Sequence, residues 1–205
     1  MNATATVEVG TDPFDRVAEA VESVKERLAR AARALNGAGV EFAVVGGNAV
    51  AAWVGSVDTS AVRNTIDVDI LLDRNKFNGA RKAMEEAGFV YRRSAMISGK
   101  GHIDMFLDGP QAKAREAVHV LLANEKVSES DPVAAPAVSE STDLAGYRVI
   151  ALEALVRMKL VSFRDKDRMH LRDLAYVGLI DSTWTNKYPS ELRSRLQKIL
   201  DDPEG

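Results

Sequence analysis

The chain has 205 residues, 46% hydrophobic and 28% charged, with a net charge of −3. That is an ordinary balance for one globular domain or a core with a small appendage, and the acidic total argues against a general nucleic-acid coat, which needs many Lys and Arg on phosphate. There is no cysteine, which excludes disulfides, thiolate catalysis and cysteine-based zinc sites. The first residues lack a basic n-region and an apolar h-region, and no apolar run is long enough to span a bilayer, so the expectation is a cytoplasmic protein without membrane association.

Residues 1–11 are expected to be a loose tail. Asp12-Pro13 then opens a helix, with Asp12 as cap, Pro13 at the first helical position and Asp15 near the positive end. Val17, Val21, Val24, Leu28, Ala31 and Leu35 follow at steps of three and four and form one apolar stripe, ended by Gly37 and Gly39. The stripe is short and rich in Val and Ala, which favours a helix packed on its own domain over a dimerising coiled coil. Glu41 to Val45 reads as a buried strand, broken by Gly46-Gly47, and Asn48 to Val54 as a helix. Residues 55–64 form a loop, Thr65 to Leu72 a second strand, and Lys76 to Ala87 a helix stopped by Gly88. Phe89 to Ser94 and His102 to Leu107 are further strands around the glycine turn at 98–101, and a strand from Val118 follows. Residues 127–147 are polar, carry two prolines and read as a long loop. Helices follow over Leu152 to Arg164, Arg168 to Leu179 and Pro189 to Leu200. The expected fold is α/β in the α+β sense: a small mixed sheet flanked by helices, with a C-terminal helical region. Its expected divisions are a core over 1–126, a linker over 127–148 and a helical region over 149–205.

Asp67 and Asp69 carry the first chemical signal. Strand positions i and i+2 share a face, roughly 6–7 Å apart, so two carboxylates sit side by side on an otherwise apolar strand and repel. A divalent cation relieves the repulsion, and hard oxygen ligands suit Mg²⁺ or Mn²⁺, which complete their shells with water and substrate phosphate. The plainer alternative exposes one aspartate at the strand end and pairs the other with Arg63. Asp104, central in the apolar run His102 to Leu107, either adds a third carboxylate to a two-metal site, with a role in accepting the attacking hydroxyl's proton, or faces water from an edge strand. Gly46 and Gly47 lie between a strand and a helix, where they allow close backbone approach and offer the helix N-terminus, with Asn48 in its first turn, to phosphate. A plain strand-to-helix turn has the same residues. Lys159 falls within the apolar face of Leu152, Leu155, Val156 and Phe163, so it either snorkels to solvent or points into a polar cleft holding anionic phosphate. Arg164 to Arg168 is dense in charge and reads as a solvated helix junction or part of a site. His102, His119 and His170 show no spacing that suggests a zinc site or a catalytic triad.

The order of these elements resembles the nucleotidyltransferase superfamily of the DNA-polymerase-β type: a Gly-Gly or Gly-Ser turn, Asp-x-Asp on the next strand, and a third Asp on a later strand. Arg63-x-Thr65-x-Asp67-x-Asp69, with Leu152 to Leu160, Lys166-Asp167 and Leu171 to Leu174, is similar to the minimal bacterial branch that includes the AbiE toxins. The resemblance spans roughly residues 40–180. It implies Asp67, Asp69 and Asp104 as catalytic metal ligands, Gly46, Gly47 and Asn48 as a seat for the triphosphate, Lys159 as a phosphate partner, and Arg63 as an assistant. The implied reaction moves a nucleoside monophosphate from an NTP to an acceptor hydroxyl, with Mg²⁺ or Mn²⁺, and releases pyrophosphate. The implied acceptor is RNA, tRNA, protein or a small molecule, and an antitoxin is an implied partner. Two departures stand out: the Gly47 to Asp67 interval is longer than usual, and Gly47 stands where many members have serine. Arg157, Lys159, Arg164, Lys166, Arg168 and Arg172 either line an RNA path or form a phosphate pocket with a solvated rim. Competing readings are a non-catalytic nucleotide-binding or toxin–antitoxin interaction protein on the same fold, and a glycosyltransferase holding a nucleotide-sugar metal, which the early glycine turn fits poorly.

Overall fold

A computed structural model describes residues 12–95 and 102–203. The expected N-terminal tail and the glycine turn at 98–101 lie outside the described residues. Helix α1 (Pro13–Gly37) opens where Asp12 accepts a hydrogen bond from the Phe14 N–H at 2.8 Å. Val24, Leu28, Ala31 and Leu35 of its stripe are buried, whereas Phe14 and Val17 are exposed, so the helix packs on its own domain and its first turns overhang. Strand β1 (Phe42–Val45), helix α2 (Gly46–Gly55), strand β2 (Val68–Leu72), helix α3 (Phe77–Glu86) and strands β3 (Val90–Ala95), β4 (His102–Leu107) and β5 (Ala117–Leu122) follow. The chain ends with β6 (Ser141–Leu144), β7 (Tyr147–Ile150), α4 (Leu152–Ser162), α5 (Asp165–Tyr176) and α6 (Ser190–Asp201).

The described strands form one mixed sheet in the order β3-β4-β5-β2-β1-β7-β6. β1 pairs antiparallel with β2 and parallel with β7, and β2 pairs parallel with β5. The inner strands are almost wholly apolar because helices cover both faces. Register divides their side chains. Val44, Ile70, Val120 and Asp104 point to one face, and Val45, Asp69, His119 and Met105 to the other. The first face carries α1 and α3, with Phe77 stacked on Phe106 at 6.3 Å between centroids and set edge-on to Tyr91 at 5.9 Å. The second carries α2, with α4 and α5 packed behind it.

The mixed α/β architecture is the one expected, and three local differences have physical causes. First, β2 starts at Val68 rather than Thr65, because β1 is its ladder partner and ends at Val45, opposite Asp69. Second, α2 begins at Gly46, so both glycines belong to its first turn. Third, the segment read as a long loop supplies β6 and the start of β7. These form a hairpin in which Leu144 faces Tyr147 across Ala145 and Gly146, both with positive φ (54° and 80°), the geometry of a tight primed turn. Alanine is an uncommon residue there, and the usual Asn-Gly signal is absent. Residues 127–148 therefore contribute to the sheet, and one continuous buried cluster runs from Val24 in α1 to Ile199 in α6.

Candidate active site

The turn from β1 into α2 and the strand end of β2 meet closely. Gly46 has φ +67°, and a Cβ there would lie 1.9 Å from Asp69 Oδ2. A Cβ on Gly47 would lie 2.7 Å from Thr65 Oγ1. Glycine is thus required twice, once for conformation and close approach together and once for close approach. No side chain caps α2, whose N-cap is Val45, so the amides of its first turn keep their donors for an incoming anion. Asn48 Nδ2 donates to the Asp67 carbonyl at 2.7 Å. Asn48 therefore ties α2 to the backbone that presents Asp67. From the opposite layer, Arg27, only 4% exposed, donates to the Ile66 carbonyl at 3.2 Å and to Asp108 at 2.9 Å, fixing the approach to β2. Its position inside the apolar stripe of α1 is the sequence signal for this role.

Asp69 is bordered by His119 on the neighbouring strand, with Nδ1 and Oδ1 3.3 Å apart. That bond raises the imidazole pKa, against the lowering effect of burial. Sequence spacing concealed His119, since it lies fifty residues from Asp69 and only the parallel β2–β5 register makes them neighbours.

Lys159 is buried, 5% exposed, and donates to Asp167 at 3.1 Å. Asp167 is fully buried and also accepts from Arg164 Nε at 2.7 Å and Ser162 Oγ at 2.8 Å. The residues from Arg164 to Arg168 are thus not merely a solvated junction. The pair is served unequally. Burial would raise the Asp167 pKa, but its hydrogen bonds and two cations win and hold it at about 2. Burial of the Lys159 ammonium outweighs Asp167, and its pKa falls. Burial thus disfavours the charged form of Lys159 even beside Asp167, and the field of Asp69 reaches both it and Arg164. His170, on α5 beside them, is pulled down to about 4 by burial and then by Lys159.

The remaining expected residues are placed elsewhere. Asp104 lies on the α1/α3 face of the sheet, opposite to Asp69, where it accepts the Tyr91 hydroxyl at 2.6 Å and faces Arg93 at 3.8 Å. The register does not bring it to the pair. Arg63 is held by Asp173 at 2.9 Å at the mouth of a 480 Å³ groove that Tyr176 and Met169 also line. The basic cluster is largely neutralised within the chain: Arg157 pairs with Glu140, Arg164 with Asp167, Arg168 with Asp165 and Arg172 with Asp202.

Carboxylate oxygens such as those of Asp67 and Asp69 suit Mg²⁺ or Mn²⁺, which keep open positions for water and phosphate. Among the described residues no three His, Asp or Glu side chains form a ready-made cage.

No family model matches the chain, and no curated protein matches it. Among solved structures, ANT(2″)-Ia in complex with adenylyl-2″-tobramycin aligns at 15% identity over 86% of this chain and 98% of that one, with a TM-score of 0.52. The chain is similar to ANT(2″)-Ia in fold. At this identity the likeness concerns the fold alone. JHP933 from Helicobacter pylori aligns at 13% identity over 91% of this chain and 94% of that one, with a TM-score of 0.46. Megavirus polyadenylate synthase aligns at 11% identity over 99% of this chain and 36% of that one, with a TM-score of 0.45. No helix among the described residues is long and apolar enough to cross a membrane.

Gly46→Ala tests the close approach. The left-handed backbone alone costs alanine about 1–2 kcal/mol, and the methyl group would displace the Asp69 carboxylate. The expected result is a folded protein with a lowered melting temperature and no measurable nucleotide-dependent Mn²⁺ binding by titration calorimetry.

Proposed function

We propose that this chain is a metal-dependent nucleotidyltransferase that moves a nucleoside monophosphate from an NTP to an acceptor hydroxyl. One observation carries the reading: the Asp69 carboxylate rests against Gly46 at the uncapped start of α2, within the field of the buried Lys159 and the exposed Arg164. The acceptor hydroxyl oxygen bonds to the α-phosphorus as its proton passes to solvent water, the bond from that phosphorus to the β-phosphate bridge breaks, and pyrophosphate leaves. Bound Mg²⁺ or Mn²⁺ supplies charge neutralisation and orientation of the phosphates. Asp67 and Asp69 hold the metal. Gly46, Gly47 and the first α2 amides seat the triphosphate. Lys159 and Arg164 take up charge that develops on the leaving pyrophosphate. Asn48 keeps the Asp67 backbone in place. The proposed kinship with the AbiE-like branch, an antitoxin partner and an RNA, tRNA or protein acceptor rest on the sequence pattern. The internal pairing of the arginines argues for a phosphate pocket over a long RNA path.

The test is incubation with each labelled NTP, Mg²⁺ or Mn²⁺, and cell lysate, reading pyrophosphate release and the labelled product. The expected outcome is label transfer that disappears in Asp69→Asn. A wild-type protein that neither binds nor consumes any NTP with either metal removes the reading. The position of Asp104 favours a second one, in which the chain binds nucleotide without transferring it. Tight NTP binding with no labelled product would select that alternative. Because Asp104 lies on the opposite face, Asp104→Asn is expected to leave Mn²⁺–nucleotide affinity within about twofold of wild type by calorimetry, while Tyr91 keeps a carbonyl acceptor. A large loss of affinity would place Asp104 in the site.

A further inference from the structure

We propose that His119 binds the same metal ion as Asp69, through Nδ1, so that the centre is a mixed carboxylate–imidazole site selective for Mn²⁺ over Mg²⁺. The proposal rests on the metal site described above and assigns it a donor that no motif announces. His119 stands on β5 directly beside Asp69 on β2, on the same face of the sheet. Asp104, the expected third carboxylate, points to the other face. The imidazole is 15% exposed and the Asp69 side chain 23%, so both are held by the fold yet open toward the α2 start.

The contact between Nδ1 and Oδ1 is a hydrogen bond in the free chain, and its length is also close to the span of two donors to one ion. A charge-assisted N–H···O bond measures about 2.7–2.9 Å, shorter than the 3.3 Å between Nδ1 and Oδ1. Two donors about 2.1 Å from one octahedral ion, on neighbouring vertices, lie about 3.0 Å apart. The observed pair needs to close by only a few tenths of an ångström to hold an ion. Metal-binding histidines use one ring nitrogen for the ion and leave the other to be oriented by a hydrogen bond, and here Nδ1 is the nitrogen that faces Asp69. Gly46 completes the arrangement by leaving room for Asp69 Oδ2 on the opposite side of the carboxylate. Mg²⁺ prefers oxygen and gives up water reluctantly, whereas imidazole nitrogen suits transition metals, so this donor favours Mn²⁺.

The decisive experiment is electron spin echo envelope modulation on Mn²⁺ bound to the full chain labelled with ¹⁵N-histidine, with Mn²⁺ and Mg²⁺ affinities measured by calorimetry. Wild type is expected to show a directly coupled histidine nitrogen and to bind Mn²⁺ at least about tenfold more tightly than Mg²⁺. His119→Ala is expected to lose the coupling and most of the preference. His119→Asp is expected to bind Mg²⁺ and Mn²⁺ nearly alike, since three carboxylates offer only oxygen. Mn²⁺ that depends on Asp69 but shows no nitrogen coupling in wild type overturns the His119 assignment alone. Mn²⁺ binding that is absent, or unaffected by Asp69→Asn, overturns it together with the metal reading beneath it. Should His119→Ala fail to fold, His119→Asp supplies the assignment, since it too is expected to lose the coupling while keeping a polar side chain beside Asp69.

Discussion

Asp69→Asn is expected to reduce nucleotidyl transfer by at least about 10²–10³-fold while leaving the melting temperature nearly unchanged. The substitution keeps size and shape and retains an oxygen facing His119, so the packing around Gly46 survives. It removes the charge that holds a cation, and with it the preorganised field for the leaving phosphate. Asp69 is only partly exposed and shares its surroundings with Lys159 and Arg164, so no water shell substitutes for the lost carboxylate charge. Pyrophosphate release at saturating NTP and metal is the measurement. Transfer within tenfold of wild type would mean that Asp69 is not a metal ligand in the reaction.

The largest effect on stability is expected from Asp167→Ala. It strands the Lys159 ammonium, 5% exposed, without its nearest anion, and removes the acceptor for Arg164 and Ser162 at once. Breaking a buried pair in this way costs about 3–5 kcal/mol, or roughly 6–20 °C in melting temperature for a chain of this size. Lys159→Met is expected to cost less, because Asp167 keeps Arg164 and Ser162. Calorimetric melting of the two variants checks the order. The same carboxylate sets an acid limit. Its folded pKa of about 2 lies below the ordinary aspartate value, so its contribution is fully present above about pH 4 and is lost as pH falls toward 2. The gap corresponds to about 2 kcal/mol. Wild type should therefore lose stability steeply between pH 4 and 2, and Asp167→Ala less steeply.

How far each feature was legible depended on whether its cause is local. Asp12 and the apolar stripe define α1 from neighbours within a turn or two, a Val-rich run bounded by glycines marks β1, and an alternating apolar run marks β2. The hairpin of β6 and β7 was not legible, because Ala145 occupies a turn position where alanine carries no signal, and β7 is held by its pairing with β1, a hundred residues earlier. Asp67, Asp69, Gly46 and Gly47 were legible as chemistry because an acidic pair on an apolar strand and a double glycine are each locally anomalous. The close approach of Asp69 to Gly46 was not.

The sequence by itself thus determined the mixed α/β class, most helices and strands, and the presence of an acidic pair and of a glycine turn upstream of it. Those features follow from side-chain periodicity, backbone freedom and unfavourable local charge. The tertiary structure alone decided the partners. Strand register fixes the face on which a side chain points, and one residue of register separates the two faces. That single parity carries Asp104 away from Asp69 and sets His119 beside it. Helix packing likewise turned Lys159 and Asp167 from marks in a charged stretch into a buried pair, with Lys159 within the field of Asp69.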